Sequence, residues 1–252
     1  MADPHLEALR SSVARLHDLT AGLDEDQLIG RAYPSEWCIA DVVSHLGSGA
    51  VITSRRLDDT LADRETPEDF APGVWDDWNA KAPIAQRDDA LAADAALLEN
   101  LDAVTAEQHT TFTSAMGPLT LDFAQFVAMR LNEHAFHTWD IEVATDPTAT
   151  IPRQAAELVV DNLDLIARFT ATPTGDTTTI TVATTAPDRR FAVDLTPETV
   201  TFGPSNDTSA ADLQLPAEAF ARLVYGRLDP AHTPAGGHRP ALDVLRQVFP
   251  GP

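Results

Sequence analysis

The chain has 252 residues, 44% of them hydrophobic and 22% charged, enough for one large domain or two modest ones with a substantial core. Its 39 acidic residues against 17 basic ones leave a formal net charge of −22, a field that repels phosphate backbones and anionic membranes and argues against nucleic-acid binding. No apolar run is long enough to span a bilayer, the N-terminal segment lacks the pattern of a secretory signal, and the single cysteine, Cys38, excludes an internal disulfide and fits a reducing cytoplasm.

Leu6, Leu9, Val13, Leu16 and Leu19 recur at helical steps and predict a first amphipathic helix. Pro34-Ser35-Glu36-Trp37 reads as the entry into a second, which carries Ile39, Val42, Val43, Leu46 and Ile52 inward. The stretch from Arg64 to Pro83, rich in Pro, Asp and Trp, reads as a long connection. Alanine and leucine without an intervening Gly or Pro predict a third helix over roughly Ala85 to Val104. After a polar loop ending at Gly117-Pro118, Thr120 is placed to cap a fourth helix, with Asp122 in its first turn, running to about Ala144. Asp146-Pro147-Thr148 reads as a linker, dividing the chain into a helical bundle over 1–149 and a smaller unit over 150–252. That second unit opens with a helix from about Arg153 to Phe169. Strand-like segments follow at Thr178 to Thr184, Arg190 to Leu195 and Thr199 to Phe202, and helices at Ala217 to Gly226 and Pro240 to Val248 close it. The expected fold class is α+β in two domains, a four-helix bundle and a small unit with an antiparallel sheet.

The fourth helix poses a chemical question. At about 100° per residue, Phe126, Arg130, Glu133, His137, Asp140, Ile141 and Ala144 share one stripe. Its apolar members place the stripe inward, yet four ionisable residues occupy its middle, and buried charges require pairing or a metal. Glu133 and His137, four apart, can chelate one ion. His134 points about 80° away from the stripe. His45, near Val42 and Ile52 on the inward face of the second helix, can supply a third ligand. Two imidazoles and a carboxylate suit zinc, nickel or ferrous iron and leave coordination positions open. The same pattern also describes a buried network in which Arg130 or His137 pairs with Glu133 or Asp140, and spacing does not decide between the two.

Pro34, Trp37, Asp41, Val42, His45 and Leu46 resemble the P-x-x-W-x-x-x-D-V-x-x-H-L signature of DinB-like metal-binding bundles, and more narrowly the mycothiol-dependent maleylpyruvate isomerase family. Arg130, Glu133, His137, Trp139 and Asp140 resemble that family's second signature, R-x-x-E-x-x-x-H-x-W-D. The family also carries a C-terminal α+β domain similar to sterol-carrier folds. The resemblance implies that His45, Glu133 and His137 ligate a metal, typically zinc, and that Asp140 orients a ligand imidazole. Leu223-Val224-Tyr225-Gly226-Arg227 is similar to the family's L-x-x-G-R segment, which nominates Arg227 for activity and for binding the thiol cofactor or substrate. The same two residues also read as a helix C-cap, with Gly226 supplying the left-handed turn. Cys38 stands where the family commonly has Ser or Thr. Lying two turns from His45, it reads as a buried, inert thiol.

The resemblance implies a cytoplasmic, metal-dependent enzyme that uses mycothiol or a similar low-molecular-weight thiol, held as thiolate, for isomerisation or for thiol transfer to an electrophilic or carboxylate substrate. The alternative is a non-catalytic, metal-containing protein that binds a small ligand. A monomer or a homodimer is expected, with neither nucleic acid nor membrane as partner.

Overall fold

The computed structural model describes residues 3–117, 119–236 and 239–251. The chain divides into two compact units, Met1–Ala149 and Thr150–Pro252.

The first unit is built on four long helices. α1 (Pro4–Thr20) starts where the Asp3 carboxylate accepts from the backbone N–H of His5 and where Pro4, lacking an N–H, fills the first helical position. Its Leu6, Leu9 and Leu16 are buried. The one-turn α2 (Glu25–Leu28) leads to α3 (Ile39–Leu61), whose N-cap is Cys38, with the Asp41 carboxylate accepting from the Cys38 backbone N–H at 2.9 Å. The segment expected to be an irregular connection folds into α4 (Phe70–Asn79). Trp78 of that helix is buried against Gly47 of α3, where a Cβ would fall 2.3 Å from the indole ring. Only a glycine admits so close an approach, and the burial of the tryptophan stabilises a short helix that Gly73 disfavours.

α5 (Pro83–Asp102) packs against α3 and α1. The short α6 (Ala106–Thr111) is followed by a hairpin, β1 (Ser114–Met116) with β2 (Leu119–Leu121), in a stretch expected to be loop. The Pro118 of that expected loop lies outside the described residues. Thr120 is not the cap of the next helix, because it pairs with Ala115 in the hairpin. Asp122 takes that role. Its carboxylate accepts from Gln125 N–H at 2.8 Å, and the Gln125 side chain accepts from Asp122 N–H at 3.1 Å, a reciprocal box that satisfies two otherwise orphan donors. α7 (Phe123–Glu142) then packs on α1 and α3. Among the described residues no helix is long and apolar enough to cross a membrane.

In the second unit α8 (Arg153–Val159) and α9 (Leu163–Thr170) replace one expected helix, separated by a 3₁₀ turn at Val160–Asn162, where Asp161 and Asn162 are weak helix formers. β3 (Thr178–Thr185), β4 (Arg190–Leu195) and β5 (Val200–Pro204) form the expected antiparallel meander. A further strand, β6 (Leu213–Pro216), adds parallel to β3, giving the order β5-β4-β3-β6. Alternate residues Phe191, Val193 and Leu195 are buried, and Phe191 packs against Phe220 of α10 (Ala217–Val224) with ring centroids 5.2 Å apart. α11 (Pro240–Val248) closes the unit.

Candidate metal centre

α3 and α7 bring three donors together. His45 Nε2 lies 3.3 Å from Glu133 Oε2, and His137 Nε2 lies 3.7 Å from the same oxygen. One ligand atom from each of His45, Glu133 and His137 falls within 4.8 Å of the others, the one such group of His, Cys, Asp or Glu among the described residues. Glu133 and His137 meet because residues four apart on a helix stack on one face. His45 faces them from α3, its ring 4.5 Å from that of His137, centroid to centroid.

The outer nitrogen of His137 is committed. Asp140, fully buried one turn further along α7, places Oδ2 2.8 Å from His137 Nδ1. A carboxylate there holds the proton on Nδ1 and turns the Nε2 lone pair toward Glu133 and His45. Trp37 closes the other side: its ring stacks 5.9 Å from His137 at 18° and lies 5.4 Å from His45. The stripe expected to be buried throughout is buried at Arg130 and Asp140 but open at Glu133, whose side chain is 48% exposed. Desolvation pushes the Glu133 carboxyl upward. The hydrogen bond to His45 and the charges of His137, His45 and Arg130 outweigh it and bring the carboxyl down to about 2, so it remains an anionic donor.

Behind the triad lies a polar network around Arg130 whose partners, Asp94, His134 and Ser12, the spacing did not indicate. Arg130 Nη2 donates to Asp94 Oδ1 on α5 at 2.7 Å and to the Leu46 carbonyl at 2.8 Å. His134, set apart from the metal stripe, is wholly buried; its Nε2 is 3.1 Å from Asp94 Oδ2 and its Nδ1 is 2.8 Å from Ser12 Oγ. Of the buried-network reading, Arg130 therefore pairs with Asp94 and not with Glu133 or Asp140, while His137 does pair with Asp140 and, at 3.7 Å, with Glu133. A signal for it existed: Asp94 interrupts the stripe Ala90, Leu97, Leu101 of α5, all buried.

A cavity of about 240 Å³ adjoins the triad, lined by His45 and Glu133 and by Ile52, Trp75, Phe126 and Met129 among others. Cys38 stands at the N-terminus of α3, half-buried where full burial was expected, and outside the donor group. Burial and the neighbouring Asp41 push its thiol upward, which keeps it protonated. Arg227 belongs to the second unit, where its Nη1 donates to the Tyr225 carbonyl at 3.0 Å. The preceding Gly226 has φ +70°. Its N–H donates to the Leu223 carbonyl and that of Arg227 to the Arg222 carbonyl, the paired bonds of a Schellman helix end. The capping part of the Gly-Arg reading thus rests with Gly226.

Residues 9–142 match the profile of the mycothiol maleylpyruvate isomerase N-terminal domain. No curated protein matches the chain. Two solved structures share its fold: the mycothiol-dependent maleylpyruvate isomerase, 14% identical, and a histidine-to-alanine mutant described under the same name, 13% identical. Each has a TM-score of 0.68 and covers 94% of this chain and 94% of its own.

Proposed function

The chain belongs to the mycothiol maleylpyruvate isomerase N-terminal domain family, and from that premise we propose that it is a zinc-dependent enzyme that uses mycothiol or a similar small thiol, with maleylpyruvate isomerisation as the leading reaction. The observation that carries this reading is the convergence of His45, Glu133 and His137 within 4.8 Å, with the outer nitrogen of His137 tied to a buried carboxylate. Two neutral imidazoles and one carboxylate are a donor set for zinc, and three protein ligands leave a position for an exogenous group. When bound, such an ion supplies the positive charge that keeps a thiol ionised at neutral pH.

The chain's own residues supply the rest. Glu133, held anionic, would offset part of the charge of a bound ion, while Asp140 fixes which nitrogen of His137 faces inward. Trp37 restrains both imidazoles and keeps water from that side. The cavity walled by Ile52, Trp75, Phe126 and Met129 gives an apolar substrate body a place beside the donors. Arg227 enters the proposal through its resemblance to the family's L-x-x-G-R arginine, as a residue of the activity. The test is turnover of maleylpyruvate by protein stripped with a chelator, then reloaded with zinc, each with and without mycothiol. Turnover that needs both zinc and mycothiol supports the reading. Turnover that is indifferent to both overturns it, and conjugation of an electrophile without isomerisation assigns a thiol transferase.

A further inference from the structure

Arg56 lies on α3 eleven residues after His45, which at about 100° per residue returns it to the same face three turns on. Gly49 and Ile52 fall between them on that face, and all four line the cavity beside the metal donors. Helical side chains lean toward the helix N-terminus, which directs Arg56 back along the cavity toward His45.

The other arginines nearby are committed. Arg55 donates to Asp59 at 2.6 Å and sits over the Phe70 ring; Arg64 bonds the same carboxylate; Arg130 is held by Asp94. Arg56 makes no hydrogen bond or ion pair among the described residues. In a chain with 39 acidic residues and 17 basic ones, this half-buried guanidinium is left without an anion. It also lines a larger groove of about 630 Å³ that shares Ile52 and Met116 with the cavity and carries Asp63, Glu65 and Glu68, none of which pairs with it. The same cavity is lined by apolar groups: Trp75, 47% exposed despite its size, Met116 and Met129. The cavity's lining thus combines two of the metal donors, several apolar side chains and a cation with unused planar donors.

We propose that Arg56 anchors a carboxylate of the ligand, and that the cavity takes an organic acid whose carbon chain lies against its apolar lining, Trp75 and Met129 among it. A guanidinium binds a carboxylate through two parallel N–H···O bonds, a geometry that lysine cannot copy. It also gives an acidic protein a local attraction for an anionic substrate. The proposal rests on the enzyme reading for the identity of the reacting end, but the anchoring of the acid is separable from it.

The test is calorimetric titration of maleate and of dimethyl maleate into zinc-loaded wild type, Arg56→Ala and Arg56→Lys, with bound zinc and thermal unfolding measured on the same samples. The expected result is a loss of maleate affinity of about tenfold or more in Arg56→Ala, the scale of a lost charge-assisted pair. Arg56→Lys should recover part of it, with zinc content and ester binding unchanged. Equal maleate affinity in wild type and Arg56→Ala overturns the proposal, as does an equal loss for the ester, which would mark packing instead of charge. If wild type retains no zinc yet binds maleate in an Arg56-dependent way, the anchor stands and the metalloenzyme reading fails.

Discussion

Asp140 and His137, one turn apart on α7, are joined by a 2.8 Å contact between Oδ2 and Nδ1, and the carboxylate in that pair is wholly buried. The contact sets the imidazole tautomer before any ligand arrives. Its inward nitrogen then presents a lone pair to the space shared with Glu133 and His45.

Asp140→Asn keeps the shape of the side chain and removes its charge. It is expected to weaken zinc affinity by about 10- to 100-fold, with the fold intact. Competition against a chromogenic chelator measures this directly. An unchanged affinity would mean that the carboxylate does not act through His137.

Asp94→Ala leaves the Arg130 guanidinium buried without its anion. Removing one partner of such a pair costs about 3–5 kcal/mol, to be read from urea unfolding of the metal-free protein. Gly49→Ala should strain the same arginine from the other side, since an added Cβ would lie 2.7 Å from Arg130 Nη1.

The pH dependence follows from the same carboxylate. Burial pushes Asp94 upward, but the charges and hydrogen bonds of His134 and Arg130 outweigh it and hold it below the ordinary aspartate value of 3.8. A depressed folded value means that the contribution to stability is present above about pH 4 and is lost as pH falls through the lower folded value. The stability gap between wild type and Asp94→Asn should therefore be widest near neutrality and narrow below pH 4. A gap that widens on acidification would show that the sign is wrong.

Arg227→Ala separates activity from capping in the second unit. Gly226 carries the left-handed turn, with φ +70°, and its added Cβ would meet Gly251 Cα at 2.4 Å. Gly226→Ala is therefore expected to cost roughly 1–3 kcal/mol of stability. Arg227 is itself buried and bonded to the Tyr225 carbonyl, so Arg227→Ala should also lose some stability; a role in activity predicts that turnover falls by tenfold or more in variant protein that is still folded and still holds its zinc at the assay temperature. Retained turnover would remove Arg227 from the activity.

The stripe on α7 was legible because a helix places Arg130, Glu133, His137 and Asp140 in line whatever surrounds them; α1 and α3 followed from the same periodicity, and α5 from its alanine and leucine content. What periodicity could not assign was the partner of each charge. Arg130 turned out to belong to Asp94, some 36 positions earlier on α5, and a pairing across helices leaves no local trace. α4 escaped notice because its stability comes from Trp78 packing on Gly47, a tertiary gain that overrides the local preference of Gly73. β6 was missed for a related reason: four residues pairing in parallel with β3 carry too short a pattern to register alone. Arg56 went unremarked since an exposed-looking arginine on a helix becomes notable only once the cavity beside it is seen.

The central claim is the metal site itself, and elemental analysis of purified wild type beside His45→Ala tests it most directly. The account predicts about one zinc per wild-type chain, and a folded His45→Ala protein that has lost most of it. Wild type without a stoichiometric divalent ion after incubation with zinc, or a His45→Ala variant with an undiminished metal content, would contradict it.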